Sequence, residues 1–165
     1  MMEELTLHKS LKLAVKTEEI GSRFYERMAK KFSDNKEISD VFSQLAKDEK
    51  VHEAQFKKIL ASAPPEGEGS GTYESDQFAR AIAVSEFFRI DEFRKIEDVK
   101  TRAEALSAAL AFEKSTLLYY QSLKDSLGEN TPLDEIIAAE KEHVMRLARI
   151  LVTNAEFRGI RDSWT

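Results

Sequence analysis

Two glutamate–histidine pairs with the same spacing are the part of this sequence best suited to chemistry. Glu49 and His52 lie three residues apart in AKDEKVHEAQF, and Glu140 and His143 repeat that spacing in AAEKEHVMRL. Positions three apart on an α-helix project from one face about one turn apart. Each pair can therefore direct a carboxylate and an imidazole toward the same metal ion.

A lone glutamate precedes each pair on what we predict to be a separate helix. Glu18 is followed six residues later by an aromatic doublet, and Glu113 is followed by another at the same offset. Four carboxylates and two imidazoles on four helices are the ligand set of dinuclear carboxylate bundles. We therefore predict six metal ligands, which are Glu18, Glu49, His52, Glu113, Glu140 and His143.

The four glutamates lie on the apolar stripes of their helices, where a charged side chain needs compensation. Glu113, for example, is bracketed by Leu110 and Leu117, and no lysine or arginine shares the four stripes. Carboxylates crowded in this way repel one another and are costly to bury without a partner. Two divalent cations would balance the four negative charges, so the pattern favours a metal site over a solvated charged face.

The spacing also predicts a role for each ligand. Glu49 and Glu140 are expected to bridge two metal ions, His52 and His143 to bind one ion each, and the two lone glutamates to be terminal ligands. Oxygen and imidazole ligands without thiolate favour iron or manganese, and zinc or cobalt can substitute. The residues therefore predict two metal ions and leave iron and manganese both open.

Composition excludes several other classes of protein. The 165 residues carry a formal charge of −5 with no basic stripe, which argues against nucleic acid as a partner. Cysteine is absent, which excludes disulfides, iron–sulfur clusters and thiolate-bound metals within this sequence. The acidic N-terminal residues MMEELTLHKS are not expected to be a secretory signal, and no apolar run in the sequence has membrane-spanning length. A cytoplasmic protein that does not enter a membrane is expected.

Helical periodicity predicts an all-α fold of four long helices in a single domain of residues 1–165. One helix hairpin covers residues 5–62 and the other residues 101–157. Asp34 with Glu37 predicts a capping box before the second helix, and Thr101 with Glu104 predicts one before the third.

Two further signals bound the second hairpin. Gly128 is expected to end the third helix, and Thr131 to cap the fourth with Pro132 at its first position. The connection of residues 63–100 is long enough to return along the bundle, so the second and third helices are predicted to run parallel. Within it, residues 76–89 predict a short extra helix. Its phenylalanines could pack on the bundle or mark a subunit interface.

Three other side chains have open interpretations. His8 has neither the spacing nor the apolar surroundings of the other histidines and is interpreted as a surface residue. Tyr25 and Tyr120 lie two turns from the lone glutamates. As core aromatics they need no function, although one could donate a hydrogen bond or an electron near the metal site.

The four helical segments resemble the ferritin-like superfamily and, within it, the rubrerythrin-like proteins. The segments that carry the resemblance are TEEIGSRFYERMA, VFSQLAKDEKVHEAQF, AFEKSTLLYYQSL and AAEKEHVMRLARIL. The resemblance covers nearly the whole chain outside residues 61–100. It implies a ferritin-like four-helix bundle, a di-iron site with the six ligands above, and reduction of hydrogen peroxide or dioxygen.

Two departures from that family bear on activity. Full rubrerythrins carry a rubredoxin domain with cysteine-bound iron, whereas this sequence has no cysteine, so the electron donor is expected to be a separate protein such as a rubredoxin. Rubrerythrins also carry an extra glutamate three residues after the third-helix ligand. Thr116 stands there, which makes the six-ligand set more similar to bacterioferritin-type centres.

Three functions remain open from the sequence. The first is an oxidoreductase of peroxidase or ferroxidase type, acting on hydrogen peroxide or dioxygen with an external electron donor. The second is a non-enzymatic protein that binds, stores or senses iron, and the third is structural zinc binding. A homo-oligomer is expected, with a dimer favoured.

Overall fold

The computed structural model describes residues 6–63 and 99–153, and these two ranges form four long α-helices. In chain order they are α1 (Leu7–Lys31), α2 (Lys36–Ser62), α3 (Arg102–Leu127) and α4 (Thr131–Thr153). No strand occurs in the described ranges. None of the helices found there is long and apolar enough to cross a bilayer. The predicted all-α four-helix bundle is confirmed.

The helices bury their apolar stripes in two separate hydrophobic clusters, one toward each end of the bundle. The first cluster joins the end of α1, the starts of α2 and α3, and the end of α4, around Tyr25, Phe42, Leu106 and Leu147. The second joins the opposite helix ends. Each hairpin is therefore antiparallel, and α2 runs parallel to α3, as the long connection predicted. Helix α1 also packs on α3, and α2 on α4.

A polar layer separates the two clusters. On every helix the sequence passes from one apolar cluster to the other through a glutamate that is at most 1% exposed. On α2, for example, Leu45 belongs to the first cluster and Phe56 to the second, with Glu49 and His52 between them. The fold thus brings four glutamates to a single height inside the bundle.

Capping explains where α2 and α3 begin, and it corrects one expectation. The predicted box of Thr101 and Glu104 is present at the start of α3, with both reciprocal hydrogen bonds made. The box predicted for Asp34 is wrong. Asn35 caps α2 instead by accepting a hydrogen bond from the Ile38 amide at 3.0 Å. Asp34 lies two residues before the first residue of α2 and accepts a 2.8 Å hydrogen bond from Arg102.

The turn between α3 and α4 shows a similar one-residue shift. Gly128 ends α3 with φ of 71°, the left-handed conformation that glycine adopts without strain. Thr131 was expected to cap α4, but Asn130 does so, because its Oδ1 accepts a hydrogen bond from the Leu133 amide at 3.1 Å. Thr131 is the first helical residue and Pro132 the second, where its missing amide hydrogen costs nothing.

Several predictions fall on residues that the structure does not describe. These are the short helix at 76–89, most of the connection 63–100, and the end of the second hairpin at 154–157. The described helices of the two hairpins span Leu7–Ser62 and Arg102–Thr153.

Close packing between α1 and α3 depends on a glycine inside α1. A Cβ atom added at Gly21 would lie 2.9 Å from Cε1 of Phe112 and 3.3 Å from Oε2 of Glu49. The Phe112 ring is 3% exposed and belongs to the first apolar cluster, so it has little room to move. Gly21 therefore lets α3 and the polar layer approach α1.

We expect Gly21→Ala to destabilise the protein by about 1 kcal/mol. The alanine gains about 1 kcal/mol of helix propensity, but overpacking against the Phe112 ring costs roughly 1–3 kcal/mol. In a Phe112→Leu background the collision is relieved, so the same substitution should stabilise. Urea unfolding of the four proteins in this cycle measures both signs, and equal effects in both backgrounds would contradict the packing argument.

Candidate metal centre

Each helix contributes side chains to the polar layer from its middle, where helical backbone continues on both sides. Helix α1 supplies Glu18 and α3 supplies Glu113, whereas α2 and α4 each supply a glutamate and a histidine. All six of the predicted ligands are buried, with exposures between 0 and 5%. The structure therefore brings together every residue that the sequence singled out for this site. His8 lies half-buried near the start of α1, outside the cluster.

The six side chains form two overlapping groups. One group consists of Glu18, Glu49, His52 and Glu140, and within it the potential ligand atoms all lie within 4.8 Å of one another. The other group, equally compact, consists of Glu49, Glu113, Glu140 and His143. Glu49 and Glu140 belong to both groups. This sharing is the geometry that two bridging carboxylates between two metal ions require.

The two imidazoles face the carboxylates with the same ring nitrogen. Nδ1 of His52 lies 2.8 Å from Oε1 of Glu140, without the alignment of a hydrogen bond, and 3.8 Å from Oε2 of Glu18. Nδ1 of His143 lies 3.5–3.6 Å from oxygens of Glu49, Glu113 and Glu140. Both Nδ1 atoms are thus positioned to bind a metal that the carboxylates surround.

Unsatisfied polar atoms coincide with this cluster. Seven buried side-chain nitrogen and oxygen atoms of the described residues make no hydrogen bond, and all seven belong to the six residues. Buried polar atoms are normally paired, and leaving one unpaired costs about 1–3 kcal/mol. Seven in one place are therefore a strong sign of missing partners. Metal ions would satisfy carboxylate oxygens and imidazole nitrogens together, so the donor set fits a dinuclear metal site.

Other buried polar groups near the cluster are satisfied locally. The hydroxyl of Thr17 donates to the Leu13 carbonyl at 2.9 Å. The hydroxyl of Thr116 donates to the Glu113 carbonyl at 3.1 Å, so it is occupied by its own helix and offers no carboxylate. Among the described residues, the buried side-chain atoms without a hydrogen bond therefore belong to the six ligands and not to the polar side chains around them.

Two buried tyrosines connect the hairpins through the lone glutamates. The Tyr25 hydroxyl, on α1, donates to Oε1 of Glu113 on α3. The Tyr120 hydroxyl, on α3, donates to Oε1 of Glu18 on α1. Each lone glutamate therefore has one oxygen held by a tyrosine and the other left without a hydrogen bond. Between the two roles left open for these tyrosines, the structure favours hydrogen-bond donation to the site, in addition to core packing.

Burial dominates the ionisation of three of the carboxyl groups. Desolvation raises the pKa of Glu18 to about 7, although its interaction with Glu49 partly opposes the shift. Desolvation and the neighbouring negative charges raise the pKa of Glu49 and Glu113 well above the usual range. Without metal, Glu49 and Glu113 therefore favour their protonated forms at neutral pH, and the pKa of about 7 places Glu18 close to its midpoint.

The pKa values of the two histidines and of Glu140 shift in the direction opposite to the one that burial alone would produce. Burial lowers the pKa of His143, but its contacts with Glu113 and Glu140 outweigh this effect and raise it to about 11. Burial also lowers the pKa of His52, but its contacts with Glu140 and Glu18 outweigh this effect and raise it. Burial would raise the pKa of Glu140, but the two imidazoles hold it below its usual range. Protons thus occupy the positions where metal ions would bind.

A cavity of about 590 Å³ connects the cluster with solvent between α2 and α4. Both histidines line its inner end, and its walls include Val51, Ala139, Met145 and Arg146. Both imidazoles therefore border a cavity that is open to solvent.

Two residues that the sequence analysis did not select also shape the centre. Gly21 makes room for Glu49, and Asp48 lies 3.4 Å from Nε2 of His143 through its Oδ2 atom. Asp48 directly precedes the predicted ligand Glu49 in DEKVH, and this adjacency is the only feature of the sequence that points to it. Its partner is on another helix, so the sequence did not reveal the contact.

Comparisons with known proteins agree with this geometry. The Rubrerythrin family matches residues 9–100, more than half of the chain. A solved structure from Thermotoga maritima, described as a ferritin-like diiron-carboxylate protein, is similar with a TM-score of 0.67 and 26% sequence identity. That similarity covers 93% of this chain and 99% of the other. No curated protein matches in sequence.

The ionisation of the cluster predicts that the stability of the folded protein depends on pH in opposite ways with and without metal. Between pH 4.5 and about 7, folded Glu18 keeps a proton that the unfolded chain has lost, so the metal-free protein should become less stable as pH rises. His143 extends this trend above pH 6.5, because its folded pKa is also raised. Glu140 contributes the opposite slope only at acidic pH, below 4.5.

With metal bound, protons compete for the ligands, so stability should instead rise with pH. The gap between the melting temperatures of metal-loaded and metal-free protein should widen from pH 5 to pH 8. Thermal melts of both forms at several pH values measure this gap. A constant gap would mean that the carboxylates do not share a proton-linked site.

The tyrosine hydrogen bonds should matter for metal affinity. Tyr120→Phe removes the group that orients Glu18, and loss of such a supporting bond costs about tenfold or more in affinity. Tyr119→Phe is a matched control, because the Tyr119 hydroxyl donates to the Ser10 carbonyl at 2.7 Å and not to a glutamate of the site. Calorimetric titration with Mn(II) should show weaker binding only for Tyr120→Phe. Equal affinities in the two variants would contradict the role assigned to Tyr120.

Proposed function

The chain belongs to the rubrerythrin family, and from that premise we propose that it is a non-haem di-iron carboxylate oxidoreductase. In this proposal it holds two iron ions and reduces hydrogen peroxide or dioxygen with electrons from a separate donor protein. The observation that carries the proposal is the coincidence of all seven unsatisfied buried atoms with the six carboxylate and imidazole ligands.

Charge balance supports two divalent ions. Four carboxylates in an otherwise apolar interior carry four negative charges when ionised, and two Fe(II) ions carry four positive ones. No lysine or arginine is buried among the described residues, so neither residue type balances these charges there. Glu49 and Glu140, which belong to both compact groups, are the proposed bridges. Glu18 with His52, and Glu113 with His143, complete the two positions.

When bound, two ferrous ions would supply two electrons and polarise an O–O bond held between them. The chain's own residues prepare the site for that chemistry. The tyrosine hydroxyls hold one oxygen of each terminal glutamate, which leaves the other oxygen directed at the centre. Apolar clusters on both sides exclude bulk water, so the cavity between α2 and α4 is the proposed path for the oxidant.

Protons also have defined positions in this proposal. Glu49 and Glu113 keep protons in the metal-free site at neutral pH, because burial raises their pKa, and they release them when metal binds. Reduction of one hydrogen peroxide to two waters consumes two electrons and two protons. Two ferrous ions held by the six ligands would supply these two electrons, and an external donor such as a rubredoxin would have to replace them.

The proposal predicts a defined stoichiometry of iron oxidation. Anaerobic protein loaded with two Fe(II) per chain should be mixed separately with peroxide and with dissolved dioxygen, and the ferric absorbance followed. We expect one peroxide to oxidise both iron ions of a chain. Two bound Fe(II) that neither oxidant oxidises faster than free Fe(II) would favour a non-catalytic iron-binding role, and failure to bind two metals would exclude the dinuclear site.

A matched pair of variants on α4 separates the site from general effects of charge. Glu140→Gln removes a proposed bridge and should lower metal affinity by more than about 100-fold, because both ions lose a ligand. Glu135→Gln removes an exposed glutamate of the same helix and should leave iron binding and oxidation unchanged. Similar losses in both variants would contradict the bridging role.

A further inference from the structure

The two halves of the polar layer differ at the position that precedes the bridging glutamate, and this difference has a functional consequence. We infer that Asp48 is a positioning residue for His143, and that the metal position served by His143 binds its ion before the position served by His52. The inference rests on the proposed dinuclear site. It concerns the order of loading, which neither the pseudo-symmetry of the hairpins nor the six-residue ligand set determines.

The geometry around His143 supplies a carboxylate on the outer side of the ring. Nδ1 of His143 faces Glu49, Glu113 and Glu140, and Nε2 faces Oδ2 of Asp48 at 3.4 Å. A small rotation of the partly exposed Asp48 side chain would bring this contact to hydrogen-bond length. The imidazole of His143 thus lies between the metal cluster and an aspartate on α2.

A third residue fixes which oxygen of Asp48 faces the ring. Nε2 of Gln44 donates to Oδ1 of Asp48 at 2.8 Å, one turn earlier on the same helix. Oδ2 is therefore the oxygen left to accept from His143. Gln44, Asp48 and His143 form a chain of contacts that runs from the surface of α2 to the proposed metal ligand.

The corresponding place on the other hairpin holds no carboxylate. Asp48 directly precedes Glu49 on α2, and the residue that directly precedes Glu140 on α4 is Ala139. The carboxylate contacts of His52 within the described part of the chain are both made by Nδ1, with Glu18 and Glu140. Ala139 and His52 line the same solvent-connected cavity as Asp48 and His143, so the two sides differ in the carboxylate and not in their access to solvent.

This asymmetry affects how each imidazole binds metal. A histidine that binds through Nδ1 must carry its proton on Nε2, and a carboxylate that accepts this proton fixes the tautomer and raises the basicity of the ligand. His143 has such an acceptor and His52 has none within the described residues. Loss of an outer partner of this kind typically lowers metal affinity by about 10–100-fold, so the two positions should differ by about that factor.

A swap of the two residues tests the inference directly. Asp48→Ala makes position 48 match position 139, and Ala139→Asp makes the reverse change, for which the cavity lined by Ala139 has room. Metal-free wild type, the two single variants and the double variant would be titrated with Co(II), a paramagnetic probe. Proton NMR then follows the shifted Nε2–H signals of the two metal-bound imidazoles, assigned with His52→Ala and His143→Ala.

In wild type, the first equivalent of Co(II) should produce the His143 signal and the second the His52 signal. Asp48→Ala should bring the two steps together, Ala139→Asp should tighten the second step, and the double variant should reverse the order. Simultaneous growth of both signals in wild type, or an unchanged order in the double variant, would overturn the inference and leave the dinuclear site intact. Binding of fewer than two Co(II) ions by wild type would instead refute the proposed site itself.

Discussion

Four carboxylates are buried at one height, and no lysine or arginine is buried in residues 6–63 and 99–153; this is the constraint on which the rest of the structure depends. An isolated charge inside an apolar core is prohibitively costly, so each glutamate must be protonated, paired with an imidazolium or bound to metal. The metal-free protein combines the first two solutions. The raised pKa values of Glu49 and Glu113 and the raised pKa of His143 are consequences of the same crowding.

The polar layer is closed to solvent on most sides of the bundle and is open to a cavity on one side. Apolar clusters close it from above and below, and the absence of a side chain at Gly21 lets α1 and α3 close it on one side. The α2–α4 side is different, because a cavity reaches the two histidines there. Rigid support and access to solvent are thus separated on opposite sides of the bundle, an arrangement suited to a site that exchanges ions and small molecules.

The pseudo-twofold relation of the hairpins explains the pairing of functional groups, and its imperfections are also informative. Tyr25 and Tyr120 obey the symmetry, since each donates to the lone glutamate of the opposite hairpin. Asp48 and Ala139 break it at equivalent positions. A symmetric ligand set with an asymmetric surrounding can give two metal positions of different affinity without any change in the ligands themselves.

The sequence by itself determined the four helices and the six residues of the polar layer. Helical periodicity fixes which side chains share a face, and a glutamate on an apolar face is conspicuous without any structure. The cap residues were misplaced by one position at Asn35 and Asn130, because adjacent polar residues compete for the same amide and only the local backbone decides between them. The tertiary structure alone decided which helices meet across the two hairpins, with α1 on α3 and α2 on α4. The crossed tyrosine bonds and the approach of Asp48 to His143 join residues far apart in sequence, and they depend on how each helix is rotated against its neighbour.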